Sequence, residues 1–572
     1  MKKLYRKIRL LTVVAWGCCV VQQAYSQSVN IENVLKAKPI AVSGGLGAST
    51  VFSYGLPNNE APLNYFLTGN LNFNILGTVN IPLSFNYSDR KVNLSQGYSF
   101  NQLSINPTYK WVTAHIGTNY MNFSPYTLNG HQFVGGGLEL SPQNWKIQLM
   151  AGRLIRGQYE DTLTTGPTFK RMGYGAKVEY NPGTYTAGIT IFKAYDDAST
   201  IPELKRTFQK QVVNPKDNLV MSLTFGTTLF HKLQLNVEYA NSIITKDQSP
   251  LNESIKIRSL AGIFHKTNAT SESFNAFKAK VNYNIKETNT IVGLGYERVD
   301  PNYTTLGGYY FVNDLVNYTF NVNQNFLQGK LMLAANVGIQ KDDINKTKVN
   351  NQSRFVGAIN ANAQISEGFT MGLNFSNFQS YRFLNDTYSK ITRVPGQIID
   401  TLNFAMVSRT VGYNMNKVVK KTETKESSVS FNATLIGSQN RRAEVVDASS
   451  KANIFNSSFI YSISYLKQRA SINASLSYFR NVLAAGTLQG VGPTIGFQKT
   501  FMEKLNTNLN LSALNINNTM SGIDKPNSLA LNMQLMANMR AGRNHNFNFN
   551  TGFVNNGSNT YLNGNLGYNY SF

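Results

Sequence analysis

The chain has 572 residues, of which 42% are hydrophobic and only 15% charged, with a formal net charge of +24. Soluble proteins carry about 25% charged residues, so neither an ordinary soluble enzyme nor a charged disordered chain fits. Tyr and Phe number 30 and 34, and Asn is abundant throughout.

In chain order, MKKLYRKIR is a basic region, LLTVVAWGCCVV an apolar one, and AYS before Gln27 has the small residues of a cleavage site. The apolar run is too short for a membrane anchor. Residues 1–26 are therefore expected to be a cleaved signal. Residues 27–39 are expected to be a short periplasmic segment and 40–572 one barrel domain. The only cysteines, Cys18 and Cys19, fall in the signal, so no disulfide is expected. Gly17 before Cys18 is a weak lipidation signal, and ordinary cleavage fits better. No later stretch is apolar enough for a spanning helix.

From Ile40 onward the pattern has period two. Leu219, Met221, Leu223 and Phe225 share one face, with Ser222 and Thr224 on the other. A turn at His231 and Lys232 follows, and Leu233, Leu235, Val237 and Tyr239 resume the alternation against Gln234, Asn236 and Glu238. Such segments of roughly 10 to 15 residues recur to the end of the chain, separated alternately by tight turns and longer polar stretches. Turns fall at 365–368 and 467–470. Longer stretches fall at 195–217, 241–253, 381–398 and 438–451. Helix signals are limited to ENVLKAK near Glu32 and PELKRTFQK near Pro202.

The fold class is thus all-β: a closed antiparallel transmembrane β-barrel of about 26 strands, within roughly 22 to 28, with short periplasmic turns and longer extracellular loops. A direct count gives 27, but an even number is needed to keep both termini on one side. Tyr296–Asp314 is therefore read as one strand end plus a folded loop. The last segment alternates up to a terminal aromatic, as expected of a closing strand. Phe572, Tyr570 and Tyr568 are its barrel-closure residues, because a strand edge left bare in lipid costs several kcal/mol per unpaired group, on the order of the usual penalty. A soluble β-sandwich would show strands of about five or six residues and more turn Pro and Asp.

The signal, the strand run and Phe572 resemble outer-membrane β-barrel proteins, and the Asn, Tyr and Phe-rich style resembles those of the Bacteroidota. The stretch YERVDPNYTTLGGYYFVNDLVNYT, Tyr296 to Thr319, is similar to segments in large barrels of the gliding and type 9 secretion machinery. That resemblance transfers no residue role. The chain departs from TonB-dependent receptors in beginning its strands soon after the cleavage site, with no room for a plug domain.

The signal holds five basic residues and no acidic one, which leaves +19 for the rest. Basic residues in turns are expected to meet headgroups. Those inside strands are costly toward lipid, which makes Arg153, Arg156, Lys278, Lys280, Arg354 and Arg480 the lumen-facing candidates, free to favour anions or paired with Glu139, Glu179 and Glu238. A barrel this wide needs filling, and the candidate fillers are 195–217, 300–314, 381–398, 27–39 or a partner. Gly135, Gly136 and Gly137 suit close backbone approach, a sharp coil of the sheet or simply a loosely packed stretch of wall.

Little points to catalysis. The five histidines lie at no metal-ligand spacing, and GxSxG, Walker, dinucleotide and HExxH patterns are absent. Asp196 and Asp197 suggest a cation or glycan contact or, more simply, a solvated turn. The expectation is a non-enzyme with no cofactor and no metal, located in the cell outer membrane. It would act as a pore or conduit for solutes, anions among them, gated by loops or a partner. The alternative is a non-conducting scaffold or component of an envelope secretion complex. Expected partners are outer-membrane lipid and lipopolysaccharide, the barrel assembly machinery and an envelope protein, with no nucleic acid.

Overall fold

The computed structural model describes residues 38–55, 63–89, 101–157, 168–201, 214–248, 253–309, 311–342, 344–345, 353–381, 405–442, 445–520, 523–556 and 559–572. The expected signal, nearly all of the 27–39 segment, the helix candidate near Glu32 up to residue 37 and the whole of the one near Pro202 lie outside them.

Period-two alternation in the sequence becomes a single antiparallel sheet in which each strand pairs with its neighbours in the chain. The sheet closes on itself. The first strand, Ile40–Tyr54, pairs with the last, Thr560–Ser571, from Gly45 opposite Ser571 to Tyr54 opposite Leu562. The barrel has 26 strands. One is broken: Gln102–Ile105 and Thr108–Tyr109 both lie between Val79–Ser88 and Val112–Asn122. Pro107 stands at the break, where it has no N–H to give to a ladder. Tyr296 to Val299 ends one strand and 300–314 is a folded loop, as the parity argument expects.

Apart from the broken strand, the strands run from 10 to 21 residues. About 9 to 11 tilted residues cross a hydrocarbon core, so the longest project well beyond it. The long members are in the second half, such as Lys425–Arg442 and Val445–Tyr465. Here the structure corrects the expected loop at 438–451. Ser438 and Asn440 to Arg442 continue the pairing, with a register shift that leaves 448–451 outside the ladder, and only 443–444 separate the two strands. Leu483 and Gly486 also end adjacent strands across a tight turn.

Register sorts the wall into two faces. Phe225, Val237, Ala279, Tyr296, Tyr318, Ile339 and Phe355 stand opposite one another across seven strands. Most of these side chains are exposed, Tyr318 at 53% and Phe320 beside it at 45%. This apolar face is the outside. The interleaved positions carry Asn, Ser, Thr, Gly and several charges, and they face the lumen.

Candidate functional site

The lumen is built from three parts. The first is a girdle one residue row from the apolar row above. Register aligns Lys146, Glu179, Gly188, Thr224, Glu238, Lys278, Glu297, Asn317, Gln340 and Arg354 in one continuous row of facing pairs. Acid and base alternate along it. Lys278 stands between Glu238 and Glu297 in register, yet forms no ion pair within 4 Å among the described residues. Glu238 accepts from Ser222 Oγ at 2.8 Å, and Glu297 accepts from Asn317 Nδ2 at 3.0 Å and from Tyr126 OH at 2.6 Å.

The second part is a pair of loops that fold inward from the long-loop rim. Residues 123–128 and 300–314 interlock. Tyr303 OH donates to the Tyr126 carbonyl at 2.9 Å, Thr305 Oγ1 to the Thr127 carbonyl at 2.7 Å, and Asn129 N–H to the Gly307 carbonyl at 2.9 Å. Tyr126 and Tyr303 are buried with Val220, Ala240, Ala276, Val299 and Leu315. Phe123, Leu128 and Leu306 are buried with Phe133, Met150, Leu154 and Phe192. Glycine admits them: a Cβ on Gly175 would stand 2.4 Å from the Phe123 ring, and one on Gly307 2.6 Å from the Phe192 ring. Burial and the nearby carboxylates of Glu297 and Glu238 push the Tyr126 hydroxyl far above its ordinary value, so it stays a donor. Between loops and girdle lies a pocket of about 530 Å³ lined by Tyr126, Lys278, Lys280, Glu297, Phe311 and Asn317.

The third part is the remaining arc of wall, on which no described loop packs. Its inner row is almost uncharged. Asn360, Asn362, Asn374, Asn414, Asn416 and Asn432 are all exposed on the lumen side. Among the described residues, these side chains stay uncovered.

The sequence-predicted basic residues divide between the faces. Lys278 and Lys280 face the lumen, exposed and two residues apart on Ser271–Ile285. Arg354 holds a register position opposite Gln340 on the girdle; its side chain lies outside the described residues. Arg153 is a correction: it stands between Val134 and Met172 on the apolar, outward row near a strand end. Arg480 is a second, between Phe455 and Gln489 on the outward row. Parity against neighbouring strands decides both, and the cost of outward charge falls near the interface, where long cationic side chains reach headgroups. Arg156 follows the strand end at Ile155 and is exposed at the rim. Other outward bases behave alike. Lys417, Lys425 and Lys499 lie near the short-turn rim over the rings of Phe369, Tyr465 and Phe501.

Among the described residues, none of the six predicted bases forms an ion pair with Glu139, Glu179 or Glu238, and these acids have other partners. Glu179 pairs with Lys177 at 3.3 Å, and Glu139 meets His115 at 3.4 Å and Gln148 at 3.0 Å. Asp196 is buried against Arg171 at 2.7 Å, and Asp197 accepts from Ser199, which gives that acidic pair a structural task. Of the expected fillers, 300–314 enters the lumen. Most of 195–217 and nearly all of 381–398 and 27–39 lie outside the described residues. Among the described residues, no three His, Cys, Asp or Glu side chains group as a metal site. The 123–128 loop went unread in the sequence, although Ser124-Pro125 and Asn129-Gly130 punctuate the alternation there.

At the seam, Tyr568 stands opposite Ala48 and Tyr570 opposite Leu46. Phe572 exchanges two backbone hydrogen bonds with Gly44, at 2.9 and 3.0 Å. His545 Nδ1 lies 2.9 Å from Tyr568 OH, and the Phe547 and Tyr568 rings are 4.9 Å apart.

No family model matches the chain, and no curated protein matches it. Solved structures to which the chain is similar include the P pilus usher PapC translocation pore, at 10% identity over 93% of this chain and 99% of that one, TM-score 0.36. Another is Acinetobacter baumannii OccAB4, at 9% identity over 71% of this chain and 98% of that one, TM-score 0.31. A third is a mutant of the ferric enterobactin receptor PfeA from Pseudomonas aeruginosa, at 8% identity over 92% of this chain and 80% of that one, TM-score 0.36. The closed 26-strand barrel stands on this chain's own register.

Proposed function

We propose that this barrel stands in an outer membrane and conducts hydrophilic solutes along a lumen that its own loops narrow on one side. The carrying observation is the exposed Asn arc inside a closed wall. An apolar exterior and a solvent-reached polar interior are what an aqueous passage through lipid requires. The interlocked loops 123–128 and 300–314 serve as a fixed constriction over the opposite arc. Much of the basic charge that suggested anion preference belongs to the outer face and rims. Lys278 and Lys280 remain in the lumen beside Glu238 and Glu297, so any ion preference is weak and set at the girdle.

The test is single-channel conductance of the purified protein in a planar bilayer, with the reversal potential under a salt gradient. Stable steps with a small reversal potential are expected. A correctly folded barrel that stays silent would sink the conduit reading and favour a scaffold.

A further inference from the structure

The long connection between Leu233–Thr245 and Ser271–Ile285 does the opposite of the plug loops. Its described part, from Glu253 to Thr270, lies against the outward face. Ile257, Leu260 and Ala261 pack on Leu219, Met221 and Ile243, all on the outward parity. Ala261 N–H donates to Asn241 Oδ1 at 2.9 Å. His265 sits with Nε2 3.0 Å from Thr245 Oγ1 and Nδ1 3.1 Å from Lys193 Nζ, and Lys193 is ion-paired with Asp217. The strap thus covers a charged pair that otherwise stands on the apolar face.

So held, the strap turns two large apolar side chains away from the protein: Ile263 is 74% and Phe264 70% exposed. Lys256, Arg258 and Lys266 are exposed on the same segment, and none forms an ion pair among the described residues. Apolar tips flanked by unpaired cations fit the boundary where acyl chains meet phosphates. The strap also continues the outward rows, on which Leu223 and Phe225 are each 45% exposed.

We propose that the strap is a lipid-binding element. It seats Ile263 and Phe264 among the acyl chains of the outer leaflet and holds the phosphates of an anionic lipid on Lys256, Arg258 and Lys266. The inference rests on the outer-membrane reading. A lipid is favoured over a protein because the strap is continuous with wall that must face acyl chains, and because the charges nearest its apolar tips, Lys256, Arg258 and Lys266, are all basic, the acidic Glu253 standing at the strap's far end.

The experiment uses the full barrel in phosphatidylcholine nanodiscs containing a minority of lipid A. Native mass spectrometry then counts the lipid A retained by the parent, by Lys256→Gln/Arg258→Gln/Lys266→Gln, and by Ile263→Ser/Phe264→Ser. Retention should fall about fivefold for each basic residue removed, the scale of a basic side chain at an anionic surface. The serine variant should weaken retention of lipid A and phosphatidylcholine alike. Added inorganic phosphate should leave retention unchanged if the acyl chains contribute. Displacement by phosphate would overturn the lipid and leave a free-anion site. Equal retention by parent and triple variant, in barrels that insert normally, would overturn the phosphate contacts. A parent that fails to enter nanodiscs at all would instead remove the outer-membrane reading beneath the proposal.

Discussion

At the scale of single residues, the plug turns on Tyr126. Its hydroxyl reaches across 171 positions to Glu297, and its carbonyl accepts from Tyr303. Tyr126→Phe removes one hydrogen bond to a carboxylate and leaves Glu297 with Asn317. Bonds to charged groups contribute about 1.5–3 kcal/mol. Opening of 123–128 and 300–309 should become easier by that amount, read as faster amide exchange in those segments with the wall unchanged. Unchanged exchange would mean that apolar packing alone holds the loops. His265 gives a second residue-scale prediction. Burial first, and then the charge of Lys193, lowers it from 6.5 to about 4, while Asp217 opposes the shift. Thr245 and Ser271 are the neutral polar groups beside it. A histidine with a lowered folded value is neutral in the packed strap and protonated in the released one between those limits. The strap is therefore fully held above pH 6.5 and loses stability as pH falls toward about 4. Exchange of 253–270 should rise over that window, and His265→Gln should flatten the dependence.

At the scale of elements, the contrast is between loops that go in and a strap that stays out. Strands were legible in the sequence because a wall between lipid and water enforces period two on every crossing. Their ends were less so. Residues 438–451 are polar enough for a loop and alternate well enough for a strand, and pairing decides in favour of the strand. Arg153 and Arg480 were misread because an isolated strand shows which residues share a face but not which face is outside. That needs register to the neighbours. That 300–314 is a loop followed from counting parity, and its entry into the lumen was one of several candidates for filling a wide barrel, whereas the partner loop 123–128 is too short to register as a gap. Replacing 301–312 by a short Gly-containing turn tests this element directly. Val299 and Leu315 end paired strands, so closure should survive. The conductance step should rise measurably, because the loop fills part of the lumen's cross-section beside the pocket that Lys278 and Lys280 line. An unchanged step would place the constriction elsewhere.

At the scale of the whole molecule, the sheet has no free edge, and the closing pair explains what its last strand contributes. Ten residue pairs join Ile40–Tyr54 to Thr560–Ser571, and Phe572 adds two hydrogen bonds on Gly44. Removing 560–572 uncovers one edge on Ile40–Tyr54 and another on His545–Asn555. Each backbone group left bare in hydrocarbon costs about 2–7 kcal/mol, so a few such groups exceed the roughly 5–15 kcal/mol of a typical net stability. The truncated chain should give no barrel that resists unfolding in cold detergent. Phe572→Ala is different in kind. It keeps both backbone bonds and loses only the ring contact with Tyr570 at 5.6 Å, a loss of about 0.5–1.5 kcal/mol beyond buried area. That variant, once folded, should migrate as a compact barrel and unfold at a slightly lower temperature. If the two variants behaved alike, the seam would depend on the terminal ring rather than on the ladder.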